Sequence, residues 1–285
     1  MKNLAQTRNA PRDVVRLERG QPTSDGAGVK LTRVIGTRGL PDLDPFLLLD
    51  EFGSDAAADY IGGFPSHPHR GFETVTYMLQ GRMRHKDNQG NEGLLVPGSV
   101  QWMTAGRGIV HSEMPEQEEG RMSGFQLWVN LPAADKMTAP RYQDISPERI
   151  PSVSAEAAQV RVIAGESNGV RGPVTGVATA PVYLDVSLQR AGSFTHALPA
   201  THNAFLYVFE GQAEIGESRT KAIRGDLAVL GPGRDVLVTA SDAAARFILV
   251  AGKPLGEPVV RYGPFVMNTR EQIAKAVEDF NTGKF

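Results

Sequence analysis

The chain has 285 residues and no cysteine, with 30 Lys and Arg set against 32 Asp and Glu. This balance leaves no basic field for direct nucleic-acid binding, and the missing thiols exclude disulfides, thiolate ligands and a cysteine nucleophile. No run approaches the ~18 apolar residues of a membrane-spanning helix, so no membrane contact is expected.

Met1–Arg8 has no apolar core of the secretory kind, and the expected location is cytoplasmic. Val14–Leu17 is a short strand candidate. Val29–Ile35 alternates apolar and polar residues, as a half-buried strand does. Phe46–Asp50 is a short apolar strand. The pair Asp50 and Glu51 reads first as its polar end, and only second as a carboxylate pair for chemistry. Ser54–Gly63 is a loop of small residues.

The stretch Pro65–Glu113 holds four of the six histidines, and three of them, His67, His69 and His111, fall in paired spacings. Residues i and i+2 of a strand share a face, so His67 and His69 point one way. His111 and Glu113 do the same from a second strand. If the two strands face each other across a barrel, four ligands converge. Three imidazoles and a carboxylate suit one divalent first-row metal such as iron, zinc, copper, nickel or manganese. A lone histidine is ordinarily a satisfied core or surface residue, but two matched pairs in strand-like sequence outweigh that reading. Between them, Thr74–Leu79 and Val100–Met103 are strand-like, with turns at Gln80-Gly81, Asp87–Asn91 and Pro97-Gly98. Glu73 shares the parity of His67 and His69. It is expected beside the ligands, holding an imidazole, with Gly71 as a bulge that changes its aim.

Pro115–Gly120 reads as a solvated acidic loop. Phe125–Asn130 alternates, and either Gln126 and Trp128 or Phe125, Leu127 and Val129 line the pocket. Leu131–Pro140 reads as a linker, giving domains 1–138 and 139–285. The second half repeats the first. Tyr207–Gly211 matches Tyr77–Gly81, and Gly225–Gly233 matches Gly98–Gly106 with three residues fewer between. Carried across this repeat, His67 falls on Ala197, His69 on Pro199, Glu73 on Asn203, His111 on Val238 and Glu113 on Ala240. The second barrel is therefore expected to bind no metal, with His196 and His202 in structural roles. Thr269 and Gln272 form a capping box for the one convincing helix, with Ile273, Ala276, Val277 and Phe280 as its apolar stripe. The fold class is all-β: two tandem antiparallel barrels and a short C-terminal helix.

His67-Pro68-His69-x-x-x-Glu73 with Gly81, and Gly98-x5-Thr104-Ala105-Gly106-x4-His111, resemble the two cupin motifs, threonine standing where the general pattern has proline. Phe46–Phe52, His67–Val75, Gln101–Gly108, His111-Ser112-Glu113, Gln126–Leu131 and Tyr262–Asn268 are more narrowly similar to the pirin family, over most of the chain. The resemblance implies Fe(II) on the four ligands, other first-row metals being alternatives. It implies two functions. One is quercetin 2,3-dioxygenase-like: a flavonol binds through its hydroxyl and carbonyl oxygens, oxygen adds, the ring opens and carbon monoxide leaves. Glu113 would be the base. The other is a non-catalytic iron-containing co-regulator whose protein partner is a transcription factor or metabolic enzyme.

Overall fold

The computed structural model describes residues 11–155 and 157–285, so the expectation for Met1–Arg8 lies outside them. The chain divides into two compact units. One is Gln21–Pro147 with Leu255–Phe285; the other is Met1–Gly20 with Glu148–Pro254. This differs from the division expected at 138/139. The internal repeat locates two copies of a frame, but each terminal segment belongs to the unit that the repeat does not assign it to. Leu131–Pro140 is no linker either. It holds the short turn Ala133–Asp135, and Lys136 is buried, its ammonium donating to Asn130 Oδ1 at 2.7 Å and to the carbonyls of Gly71 at 2.8 Å and Val266 at 3.1 Å.

In the unit containing Gln21–Pro147, a seven-stranded sheet runs Arg141–Ile145, Val100–Thr104, Phe72–Gln80, Met122–Asn130, Phe46–Ser54, Val29–Ile35, Gln21–Asp25. A four-stranded sheet runs Phe64–His69, Ile109–Pro115, Met83–Asp87, Glu92–Leu95. Every pairing in both is antiparallel. Antiparallel sheets of this kind bury one face by alternation. Ile109, His111 and Glu113 are buried and the residues between them are not. The two sheets pack face to face, since Phe72 and Trp128 of one ring His69 of the other at 5.1 and 5.3 Å. Among the described residues the strand order in each sheet is open, so the cupin frame comes from packed sheets and not from one hydrogen-bonded ring.

The strand expected at Phe46–Asp50 continues to Ser54. Asp50 is therefore mid-strand. Arg33 grips it with two hydrogen bonds, Nε to Oδ1 at 2.9 Å and Nη2 to Oδ2 at 2.7 Å. That fork geometry makes Asp50 a structural ion-pair partner.

The helix Arg270–Asn281 starts on the expected capping box. Ile273 and Ala276 pack on Phe265 and Met267 of the same unit. The segment before it makes a parallel bridge from Phe265 to Arg70. Gly71 permits this approach: its φ is +88°, and a Cβ there would overlap the Val266 carbonyl oxygen.

In the other unit a ten-stranded sheet surrounds an apolar interior. Phe194, Leu206, Val208, Val236, Val238, Ala240, Phe247 and Leu249 are all buried in one cluster. The strand Ser193–Ala197 pairs with Asp235–Thr239, setting Phe194 opposite Val238 and His196 opposite Val236.

Candidate metal centre

The strands Phe64–His69 and Ile109–Pro115 are hydrogen-bonded neighbours in one sheet, not strands facing each other across a barrel. His111 is directly opposite His67, and Ile109 opposite His69. The register slips between His111 and Glu113, and the slip opens the strand beside the cluster. The result brings together His67, His69 and His111. One donor nitrogen from each lies within 4.8 Å of the others, the one such cluster found among the described residues.

The electronic state of the rings favours a cation. His67 Nδ1 is 2.8 Å from the Pro65 carbonyl, so it donates there and leaves Nε2 with a bare lone pair. His67 Nε2 and His69 Nε2 are 3.0 Å apart. That separation suits either an N–H of His69 donated to His67 or a cation between the two nitrogens. Burial, then the neighbouring His67, holds the His69 pKa well below the ordinary imidazole value, against an opposing hydrogen bond to the Pro264 backbone carbonyl. Burial, then His69, His67 and His85, does the same to His111. Both rings are thus held neutral, each with one N–H and one lone pair. His111 Nε2 is buried and has no protein partner. Three imidazole nitrogens brought this close together fit a divalent first-row ion.

Glu113 is buried in the same cavity, but its oxygens face its own partners. Thr76 Oγ1 is 2.9 Å from Glu113 Oε1, and Gln126 Nε2 donates to Oε2 at 3.4 Å. Thr76 Oγ1 also lies 2.6 Å from Gln126 Oε1. Its single proton serves one of the two oxygens.

The structure does not bring Glu73 to the imidazoles. Glu73 lies on the opposite face of its strand from Thr76, where it accepts a hydrogen bond from Thr104 Oγ1 at 2.6 Å. Burial raises its pKa, partly offset by Thr104 and Trp102. The parity shared with His67 and His69 is broken at Arg70-Gly71, where one strand ends and the next begins.

The cavity beside the cluster has a volume of about 520 Å³, in the range of small-molecule sites. Gln126 and Trp128 line it, which settles the open face of that strand; Phe125, Leu127 and Val129 are buried on the other side. Leu31, Leu48, Phe52 and Phe64 add apolar wall. The Arg261 guanidinium lies over Trp128, 4.6 Å from the ring centre.

Sequence reasoning missed His85. It sits opposite Glu113 in the strand register, on the face shared with His111. Its Nδ1 is 3.3 Å from His111 Nδ1, and its Nε2 is 3.0 Å from Tyr142 Oη. Tyr142 is in turn hydrogen-bonded to Asp87. Burial alone would raise the Asp87 carboxyl; hydrogen bonds from Asn91, Gln89 and Tyr142 lower it below the usual value. Only a long-range pairing brings residue 85 here, so no local spacing signals it.

In the other unit the frame keeps one imidazole and lacks the other donors. Because Phe194 faces Val238 where His67 faces His111, the register corrects the repeat: His67 corresponds to Phe194 and His69 to His196, not to Ala197 and Pro199. Extra residues between His196 and Asn203 shift the alignment only after the His pair. His196 stacks on Phe194, with ring centres 5.9 Å apart.

Comparison with known proteins agrees with this geometry. The pirin family profile matches residues 28–129, and the pirin C-terminal cupin domain matches residues 183–285. A pirin-like protein of Caulobacter vibrioides is 52% identical over 276 residues, covering 96% of this chain and 99% of the relative. Pirin of Homo sapiens is 45% identical over 265 residues, covering 92% and 89%. A quercetin 2,3-dioxygenase structure from Acinetobacter baumannii superposes with a TM-score of 0.88 at 34% identity, covering 97% of this chain and 99% of that one. The chain therefore belongs to the pirin family, as a two-domain cupin whose histidine triad lies in the Gln21–Pro147 unit.

Proposed function

We infer that this protein is a metal-dependent oxygenase of the quercetin 2,3-dioxygenase type, with a flavonol as substrate and Fe(II) as its ion. The observation that carries the reading is the placement of three clustered imidazoles, two buried and His67 half-buried, beside an apolar cavity that also holds Glu113. Similarity to the Acinetobacter baumannii quercetin 2,3-dioxygenase supports it.

His67, His69 and His111 would hold the ion, with Glu113 as fourth ligand. A bound Fe(II) supplies one-electron chemistry toward dioxygen and acidifies a coordinated hydroxyl. The protein does the rest. Leu31, Leu48, Phe52 and Trp128 accept the aromatic rings and exclude water. Glu113 Oε takes the proton of the substrate hydroxyl, a role that needs its carboxylate free to turn from Thr76. Thr76 and Gln126 hold the carboxylate in place before and after that transfer. The cysteine-free composition fits a cytoplasmic setting.

The test is oxygen uptake and flavonol absorbance followed together on iron-loaded protein. Stoichiometric loss of both supports the reading. No turnover by protein that holds one ion per chain overturns it, and pull-down of a specific protein partner then tests the co-regulator role.

A further inference from the structure

The geometry points to His85 and Tyr142 as positioning residues that lock His111 in the tautomer able to bind a metal. This rests on the reading of the histidine cluster as a metal centre.

The direction of each hydrogen bond follows from the far end of the chain. Asp87 is a carboxylate and can only accept, and Asn91 Nδ2 and the Gln89 and Asn91 amides already donate to it. Tyr142 therefore gives its only proton to Asp87. Its oxygen is left to accept, so His85 Nε2 carries a proton and donates across 3.0 Å. A neutral His85 protonated at Nε2 has a bare Nδ1. His111 Nδ1, 3.3 Å away, must then be the donor. His111 is thereby fixed with its proton on Nδ1 and its lone pair on Nε2, the buried atom that no protein group satisfies.

The reverse direction would put the proton on His111 Nε2 and close that ligand position. The acceptor-only carboxylate of Asp87 is what excludes it. A relay of this form acts on the metal through a ligand's orientation and basicity, and such partners typically change metal affinity by about 10–100-fold.

Two measurements test this. The first uses the metal-free parent protein and reads the His111 tautomer from long-range ¹H–¹⁵N correlations of the imidazole. A proton on Nδ1 is expected; a proton on Nε2 overturns the proposal, whatever metal the protein binds. The second is Co(II) titration against a competing chelator, followed by the visible Co(II) spectrum. His85→Leu should weaken Co(II) binding by about 10–100-fold, and Tyr142→Phe should weaken it less. In the His85→Leu background, Tyr142→Phe should add nothing, because the relay is already cut. His85→Asn places a carbonyl oxygen near the lost acceptor and should recover most of the affinity. Unchanged affinity in His85→Leu, or a Tyr142→Phe effect independent of residue 85, overturns the relay. So does His85→Asn binding as poorly as His85→Leu, which would make residue 85 mere packing. A parent protein that binds no Co(II) would remove the metal reading itself, while the tautomer measurement still decides the hydrogen-bond direction.

Discussion

Arg70, the residue after His69, donates from Nη1 to Asp279 Oδ2 of the C-terminal helix at 3.0 Å. The same guanidinium lies over the Phe285 ring at 4.3 Å, and its Nε donates to the Arg107 carbonyl at 2.5 Å. The helix thus fastens the end of the strand that carries two of the three imidazoles. Arg70, with Lys275 adding, holds the Asp279 carboxyl below the usual carboxylate range. A depressed carboxylate contributes stability above its unfolded value of about 3.9, and loses that contribution as pH falls through the folded value. Asp279→Asn should therefore lower the melting temperature at pH 7 and release metal more readily. The gap to the parent should close as pH drops below about 4. A gap of constant size across pH 3–7, in thermal melts, would refute the ion-pair account.

The two units use one register for opposite ends. His67 faces His111 in one, and Phe194 faces Val238 in the other. Phe194 packs on Phe247, ring centres 5.9 Å apart, inside the apolar cluster. Phe194→Ala should cost about 3–5 kcal/mol in denaturant unfolding, with metal content unchanged. His67→Ala and His69→Ala should strip most of the metal at little cost to the fold. His196→Ala should leave metal content at the parent level. Loss of metal in Phe194→Ala or His196→Ala, read by elemental analysis, would place a second binding site in that unit.

What the sequence made legible follows from the range of each signal. His67, His69 and His111 were readable because strand parity is a local rule and both pairs lie within single strands. The bulge expected at Gly71 is a full strand interruption, with φ at +88°, and Glu73 turns to Thr104 and not to an imidazole. The Ala197 and Pro199 assignments failed because one alignment offset was carried past a length change between His196 and Asn203. Asp50 and His85 depend on partners far along the chain, Arg33 and His111, and only the sheet register names them. The exchange of terminal segments between units leaves no composition signal at all.

Gly71 and Gly90 share a φ of +88° but differ in surroundings. A Cβ on Gly71 meets the Val266 carbonyl, whereas Gly90 has nothing within 4 Å. The Val266 carbonyl also accepts from Lys136, so pushing it away removes one of the three acceptors of a buried ammonium. Gly90→Ala should show only the backbone cost of a left-handed alanine, about 1 kcal/mol. Gly71→Ala should cost clearly more and weaken metal binding through His69. Equal melting temperatures for the two variants would show that the Val266 contact yields freely.

Glu113 is the residue whose proposed chemical and binding roles separate most cleanly. It is buried, and Thr76 and Gln126 hold its oxygens inside the cavity. Glu113→Gln keeps the size and one oxygen acceptor for Thr76, so the fold and the cavity should persist. An amide takes up no proton at neutral pH, and loss of a general base typically lowers the rate about 10²–10⁴-fold. Metal content should fall less than in His69→Ala, because three imidazoles remain. The measurement is kcat for flavonol loss in protein matched for iron content, beside Thr76→Val, which removes the hydroxyl that steadies the carboxylate. Thr76→Val should retain more activity than Glu113→Gln, since a base out of position still accepts protons part of the time. If iron-matched Glu113→Gln turns over flavonol at the parent rate, the substrate proton leaves by another route, and Glu113 is only a wall of the cavity.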